Sequence, residues 1–496
     1  MRANPSRLFT ALFLIALGTG VLSAQKQLID EVHIAESFQQ ALDWAPIVEE
    51  DGLTIWPGSH SILRPAALPE EQRPTHRADQ AIGFELDAAN FKFVRERKPN
   101  RWNLALPLPD GGSVELELES FLAFKSDLVM GRTTASGERE EKFRPGLLSY
   151  RVVNPGMSGV VNVMKDHVLA TFRLDGQQWE LSPAIGAGYG GLHALFRTAD
   201  NRLDLSFSCG VEDLAQTHAP QLDRSVPTSN MPTAQCVEIG LDVDYSTFAT
   251  FSDASAAGDW ALAMLAGVSA IYEAELGNAV TLSATYLHIW EVTDPYAAFV
   301  NNSGGMLDEF RLTWYNDAPF TDHNWDLCHL LTKRTNTGTG GIAYVGVLCD
   351  PDFWAYGAGF SSGLDNTSVY TAGTYAWNLN VVAHELGHNF GSNHTHWCGW
   401  STGPIDNCYT LEGDCGSYTD NPTAQVGTIM SYCHAISGGS VNLEFHPTVE
   451  DEAILPRIDD FGSCIGTCVD LVNSYSYYGC TDPSACNYSA DATSDD

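Results

Sequence analysis

One stretch, Val382–His394, limits what this chain can fold into more than any other part of it. It reads Val-Ala-His-Glu-Leu-Gly-His-Asn-Phe-Gly-Ser-Asn-His. His384 and His388 are spaced by about one helical turn, so a helix would place both imidazoles on one face. Apolar residues with the same spacing form a second face that can pack against a core. These apolar residues are Val382, Leu386 and Phe390.

A glycine and a third histidine complete the pattern. Gly391 predicts the end of the helix, because glycine adopts a left-handed turn without steric cost. The turn can bring His394 back to the first two rings. Three neutral imidazoles at one point predict a tetrahedral zinc site with an open fourth position, and Glu385 is placed to take a proton from the zinc-bound water. The alternative is a buried helix whose histidines only satisfy hydrogen bonds.

The motif and three further segments resemble the metzincin zinc endopeptidases, most closely the adamalysin/reprolysin branch. The further segments are Asp326–Thr332, Gly341–Cys349 and Gly427–Tyr432. The resemblance covers residues 236–463. It implies an α+β fold, in which a mixed, mostly parallel twisted sheet packs against a long zinc-binding helix.

The resemblance also implies roles for four residues outside the zinc motif. Met430 matches a turn that forms a hydrophobic floor beneath the zinc, with an ordinary core methionine as the alternative. Tyr432 matches a tyrosine that, in astacin-like metzincins, approaches the metal and the oxyanion. Glu238 and Asp326 match calcium ligands, with surface or capping acids as the alternative. Thr395 departs from the reprolysin pattern, which usually has aspartate there.

Composition and the N-terminus predict an exported protein. The 496 residues include 62 acidic and 26 basic side chains, a formal charge of −36, which argues against nucleic acid as a partner. Residues 1–24 have the basic, apolar and small-residue regions of a signal peptide. Twelve cysteines in an exported chain predict disulfides. We expect a secreted monomer without a membrane span.

The segment 25–211 is predicted to be a β-rich domain without a catalytic constellation, although residues 25–60 favour a helix at its start. Ser113–Glu119 alternates apolar and acidic residues after the turn residues Pro109–Gly112, which predicts a hairpin. The segment resembles the propeptide that precedes the catalytic domain in reprolysins. An independent β-rich binding module is the alternative.

Cys209, at the end of this segment, has two possible roles. The Cys209–Gly210 pair resembles propeptide sequences whose thiolate occupies the open zinc position. The alternative is a disulfide between Cys209 and Cys236. Residues 212–235 then predict an exposed linker suited to activation cleavage. Residues 464–496 resemble part of a cysteine-containing repeat of secreted bacterial proteins.

Within residues 236–463, the hydrophobic patterns predict strands at Val237–Val243 and Gly341–Leu348 and a helix at Trp260–Glu275. In metzincins the strand that corresponds to Gly341–Leu348 is the sheet edge that pairs with an extended substrate. For the disulfides we predict the pairs Cys328–Cys349 and Cys398–Cys433.

These features together predict a secreted zinc endopeptidase made as a zymogen, with polypeptides as substrates and one zinc ion per catalytic domain. Two alternatives stay open: a non-catalytic, zinc-stabilised adhesion or binding protein, and a hydrolase of cell-wall peptides. The intact Glu385 argues against the first alternative, since a binding scaffold does not require a base.

Overall fold

A computed structural model describes the chain over residues 47–50, 53–184, 186, 191–201, 208–210, 235–365, 374–419, 423–461 and 465–467. The predicted signal peptide, almost all of the predicted linker and nearly all of the C-terminal repeat lie outside these residues.

The N-terminal half is built from strands, as its alternating patterns predict. Its elements are β1 Val48–Glu50, β2 Leu53–His60, β3 Leu63–Ala66, β4 Ala81–Leu86, helix α1 Ala88–Arg97, β5 Arg101–Pro107, β6 Ser113–Phe121, β7 Phe124–Thr134, β8 Gly137–Lys142, β9 Leu148–Val152, β10 Ser158–Val163, β11 Val168–Leu174, β12 Gln177–Pro183 and β13 His193–Arg197. The predicted hairpin is present as β5 and β6, closed by a hydrogen bond from Leu108 N to Gly112 O of 2.9 Å. The predicted helix is wrong over residues 53–60, which form β2.

Eleven of these strands form one sheet, in the order β1-β2-β5-β6-β9-β10-β11-β12-β13-β4-β3. Most neighbours in this sheet are antiparallel. The hairpin of β7 and β8 leaves this sheet and joins another one.

The C-terminal half carries most of the α-helices. Its elements are β14 Gln235–Val243, α2 Tyr245–Phe248, α3 Ala254–Glu275, β15 Val280–Trp290, α4 Ser303–Asn316, β16 Leu327–Leu331, β17 Gly341–Ala343, β18 Ala358–Ser361, α5 Tyr375–Asn389, β19 Val426–Gly427, β20 Ser440–Val441, α6 Pro447–Val449, α7 Leu455–Phe461 and β21 Gly466–Thr467. The predicted strand at Val237–Val243 and the helix at Trp260–Glu275 are both present.

The second main sheet has the order β17-β18-β16-β14-β15-β7-β8. Strands β18, β16, β14, β15 and β7 run parallel to one another, whereas the edge strands β17 and β8 are antiparallel to their neighbours. The mixed, mostly parallel character agrees with the expected fold. However, β7 and β8 come from the N-terminal half, so the sheet crosses the predicted domain boundary at residue 211.

Helix α3 lies between the two main sheets and is buried on nearly all sides. Asp253 caps its first turn by accepting from Ala256 N at 2.8 Å. Among the described residues, it is the one helix long and apolar enough to cross a bilayer, and 83% of its apolar window is buried inside the molecule. This burial is typical of a core helix.

The predicted strand Gly341–Leu348 is shorter than expected. Only its first three residues form β17. The chain then crosses the end of α5, where Gly346 N donates to His388 O and Val347 N donates to Asn389 O. His388 O also accepts from Gly391 N at the end of the helix, so the crossing segment adds a second donor to that carbonyl and supplies the donors for Asn389 O.

Candidate metal centre

Helix α5 and the turn after it bring three histidines together. His384 and His388 project from one face of α5, and their ring centroids are 4.8 Å apart. Gly391 has a φ of 98°, the left-handed conformation predicted for it, and the chain reverses there. His394 then lies with its centroid 4.8 Å from His388 and 5.1 Å from His384. The three predicted ligands therefore converge.

Hydrogen bonds orient each ring by its Nδ1 atom. His384 Nδ1 lies 2.7 Å from Ile429 O, His388 Nδ1 lies 2.7 Å from Ser392 O, and His394 Nδ1 lies 2.8 Å from a carboxylate oxygen. Because these oxygens can only accept, each Nδ1 carries the proton and each Nε2 presents a lone pair.

The electrostatics of the cluster suit a cation. Burial lowers the pKa of His388 to about 3 and also lowers the pKa values of His384 and His394, so all three rings are neutral near pH 7. The Nε2 atoms of His388 and His394 are only 3.2 Å apart. Since neither Nε2 has a proton to share, their lone pairs repel unless a positive ion lies among them. Neutral imidazoles held at Nδ1 are the donor set that zinc prefers, so these residues fit a zinc ion.

Cys209 is a fourth candidate donor beside the three histidines. Its Sγ atom is 3.6 Å from His388 Nε2 and 3.4 Å from Glu385 Oε2. All four candidate ligand atoms lie within 4.8 Å of one another. The alternative disulfide with Cys236 is not formed.

The backbone around Cys209 lies along the edge of the sheet. Gly210 N donates to Gly341 O and Gly340 N donates to Ser208 O, each at 2.9 Å. These bonds form a parallel bridge between Cys209 and Gly341 of β17. The segment 208–210 therefore covers the edge strand beside the histidines.

Glu385 is buried next to the cluster. Burial raises the pKa of its carboxyl well above the usual value, and the hydrogen bond from the Cys209 thiol acts in the opposite direction. The side chain lies against Gly341, where an added Cβ would be 2.3 Å from Glu385 Oε1. A glycine at this position of β17 is therefore needed to leave room for the carboxyl.

The segment around Met430 forms the wall beneath the histidines. Met430 is fully buried, and its Sδ atom would lie 2.6 Å from a Cβ placed at Gly387 of α5. Its carbonyl accepts from Thr395 N at 3.0 Å, while the preceding carbonyl orients His384. The hydroxyl of Tyr432 accepts from Cys209 N at 2.7 Å and lies 3.4 Å from His394 Nε2.

Two acids near the histidine cluster were not predicted from the sequence. Glu412 Oε1 is the carboxylate oxygen beside His394 Nδ1, and it also contacts His396 Nε2 at 2.7 Å. Asp406 accepts from the hydroxyl of Thr395, the residue that departs from the reprolysin pattern. No spacing marks either acid, because both lie in an irregular loop. Their position between cysteines was the one signal available.

Both predicted disulfides are wrong. The structure pairs Cys398 with Cys415 and Cys408 with Cys433, with Cα–Cα distances of 5.0 and 4.8 Å. Cys328 carries a thiol buried within β16, and Cys349 is disulfide-bonded elsewhere. The pairing depends on how the loop folds over itself, which cysteine spacing does not determine.

The two predicted calcium ligands have protein partners. Glu238 forms an ion pair with Lys125 from β7, and Asp326 Oδ2 accepts from Glu238 N at 2.8 Å. Burial raises the pKa of Asp326 to about 6. These contacts account for both acids without a cation, which favours the capping alternative.

The fold and the convergent histidines define a metallopeptidase domain. Residues 233–443 match the sequence model of metallo-peptidase family M12, of the reprolysin type. This part of the chain is a reprolysin-like metallopeptidase domain, which confirms the predicted family.

Three known proteins show the extent of the similarity. Disintegrin and metalloproteinase domain-containing protein B of Aspergillus fumigatus is 27% identical over 300 residues, which are 54% of this chain and 36% of that protein. Disintegrin and metalloproteinase domain-containing protein 9 of Homo sapiens is 31% identical over 118 residues, 24% of this chain and 13% of its own length. The crystal structure of metalloproteinase-II from Bacteroides fragilis aligns with 59% of this chain and 81% of that chain, at a TM-score of 0.34 and 11% identity. The chain thus spans little more than a third of the first relative.

Proposed function

We propose that this chain is a secreted zinc endopeptidase, made as a zymogen, that hydrolyses extended polypeptides. The observation that carries the proposal is the convergence of three Nε2 atoms beside the buried carboxyl of Glu385. His384, His388 and His394 would hold the metal. The family match to a metallopeptidase supports the same reaction class.

The residues around the cluster account for the proton transfers. A bound zinc ion would polarise the scissile carbonyl and lower the pKa of the attacking water. Glu385 takes the proton of that water at its carboxylate and passes it to the leaving amine. Its position supports this double role, because the buried carboxyl lies directly beside the three Nε2 atoms that would hold the metal. Tyr432 would offer its hydroxyl proton to the developing oxyanion once Cys209 has left.

The edge strand β17 supports an extended substrate. Its backbone groups at Gly340 and Gly341 bond the segment 208–210 in this structure. A substrate strand would use the same donors and acceptors after that segment has been displaced. This competition, together with the Cys209 thiol beside His388, supports the zymogen part of the proposal.

Two disulfides among the described residues support export, since such bonds persist in oxidising compartments. The competing readings, a binding protein and a cell-wall peptide hydrolase, lack a favouring observation of this kind. Casein digestion with and without a zinc chelator separates a peptidase from a binding protein.

The decisive experiment replaces the proposed base. After limited proteolysis within the predicted linker 212–235, Glu385→Ala should keep one zinc per chain and lose casein hydrolysis by at least about 100-fold, the usual contribution of a general base. Glu117→Ala, on the exposed face of β6, is the matched control and should behave as wild type. Wild-type activity in Glu385→Ala, or wild-type protein that binds no zinc, would overturn the proposal.

A further inference from the structure

The side chain of Glu412 contacts His394, the candidate histidine ligand that lies outside helix α5. Its Oε1 atom accepts from His394 Nδ1 at 2.8 Å and from His396 Nε2 at 2.7 Å. The rings of His394 and His396 stack with centroids 5.0 Å apart and an interplanar angle of 10°. Both rings are buried, whereas the Glu412 side chain closes the cluster on its outer side and is 21% exposed.

His394 is held differently from the two helical histidines. The Nδ1 atoms of His384 and His388 donate to backbone carbonyls, Ile429 O and Ser392 O. His394 Nδ1 donates to an ionised carboxylate instead. A charge-assisted bond of this kind is stronger than a neutral one and makes the far nitrogen a better metal ligand.

The position of Glu412 is set by its own backbone. Cys398 N donates to Glu412 O at 2.9 Å, and Glu412 N donates to His396 O at 3.3 Å. The disulfide Cys398–Cys415 closes the loop that contains Glu412. Gly413 has a φ of 82°, and a Cβ there would lie 2.8 Å from Trp397 Nε1, so the turn that follows Glu412 requires glycine. The carboxylate is thus tied to the chain just beyond His394.

We propose that Glu412 is a positioning residue that orients His394 as the third zinc ligand, and that the loop closed by Cys398–Cys415 holds it in place. The inference rests on the proposed function, since it presupposes zinc at the histidine cluster. The helical ligands are placed by α5 itself. The ligand outside the helix depends on a carboxylate from a separate loop.

Zinc affinity of the full chain tests the inference without relying on turnover. Competition with a chromophoric chelator should show that Glu412→Gln, which keeps the size and loses the charge, binds zinc roughly 10- to 100-fold more weakly than wild type. Glu412→Asp, which keeps the charge and shortens the reach, should lose affinity by a smaller factor. The double variant Cys398→Ser/Cys415→Ser should weaken binding in the same direction. Asp414→Asn, an exposed change in the same loop, should keep wild-type affinity.

The visible absorption of cobalt(II)-substituted protein supplies a second readout, because it reports ligand geometry. Glu412→Gln should change that spectrum, and Asp414→Asn should not. Wild-type zinc affinity and an unchanged cobalt spectrum in those Glu412 variants that fold would overturn the inference while the proposed zinc site stands. Wild-type protein that binds no zinc would instead remove the proposed function.

Discussion

At the scale of single residues, the thiol of Cys209 lies between two groups on which the proposed chemistry depends. It contacts Glu385 Oε2 and His388 Nε2, and its backbone N–H donates to the Tyr432 hydroxyl. One residue thus engages the proposed base, a proposed ligand and the proposed oxyanion donor. In the proposed mechanism, the substrate carbonyl and the attacking water would occupy the same space.

Removing this thiol should increase activity. In the uncleaved chain, Cys209→Ala should hydrolyse casein at least about ten times faster than wild type, because the sulfur proposed to ligate zinc at the open position is lost. Cys236→Ala, in β14, is the matched control and should leave the low activity unchanged. Equal activity of Cys209→Ala and wild type would show that the paired backbone of residues 208–210, and not the sulfur, blocks the site.

At the scale of elements, the N-terminus of α5 is capped from the other half of the molecule. Glu180 on β12 accepts from Tyr375 N and Ala376 N, each at 3.1 Å, through its two carboxylate oxygens. Thr374, at the cap position, makes no side-chain bond to the helix. The first backbone N–H groups of the helix that carries the proposed ligands thus donate to a side chain from the N-terminal sheet.

This cap predicts a pH-dependent stability. Burial raises the pKa of Glu180 from 4.5 to about 7, and the hydrogen bonds from Ala376 N and Tyr375 N offset only part of that shift. A folded-state pKa above the unfolded value means that stabilisation is complete below about pH 4.5 and is lost as the pH rises through about 7. The stability of wild type relative to Glu180→Gln should therefore fall by about 3 kcal/mol between about pH 4 and pH 8.

Urea unfolding of both proteins across that pH range measures the difference. Glu117→Gln, on the exposed face of β6, is the control. Its free energy of unfolding should differ from that of wild type by an amount that does not fall between about pH 4 and pH 8. A wild-type advantage over Glu180→Gln that grows as the pH rises would contradict the assigned shift.

At the scale of the whole molecule, the two halves share a core. Strand β7 of the N-terminal half pairs in parallel with β15 of the other half. Helix α3 is bound from the N-terminal side as well: Asn162 Nδ2 donates to Ala263 O at 3.0 Å, and Arg151 pairs with Glu273 at 2.8 Å. The N-terminal half therefore covers apolar surface that the metallopeptidase half would otherwise expose.

We therefore expect the halves to stay together after cleavage. Chain cut by limited proteolysis within the predicted linker 212–235 should elute from a sizing column as one particle, and its pieces should separate only in denaturant. Separation would expose the apolar area buried between the halves, at a cost in free energy of about 25 cal/mol per Å². Two separate native peaks on dilution would contradict the shared core.

Much of the proposed site could be predicted because its pattern is local. The helical spacing of His384 and His388 and the turn at Gly391 need only neighbouring residues, and the structure shows both. The β5–β6 hairpin and the body of α3 were predictable for the same reason. Periodicity and turn chemistry act over a few residues, so the sequence alone expresses them.

Tertiary structure decided the contacts between distant segments. The pairing of Cys408 with Cys433, the transfer of β7 to the second sheet and the Glu180 cap on α5 all join parts of the chain that no spacing links. Glu412 reaches His394 only because its loop folds back on residues 396–398. Sequence alone thus determined which side chains one helix and its turn can present together. Which distant carboxylates, thiols and strands meet them depended on the surfaces that pack in the folded chain, because such pairs form only when a complete core brings them within reach.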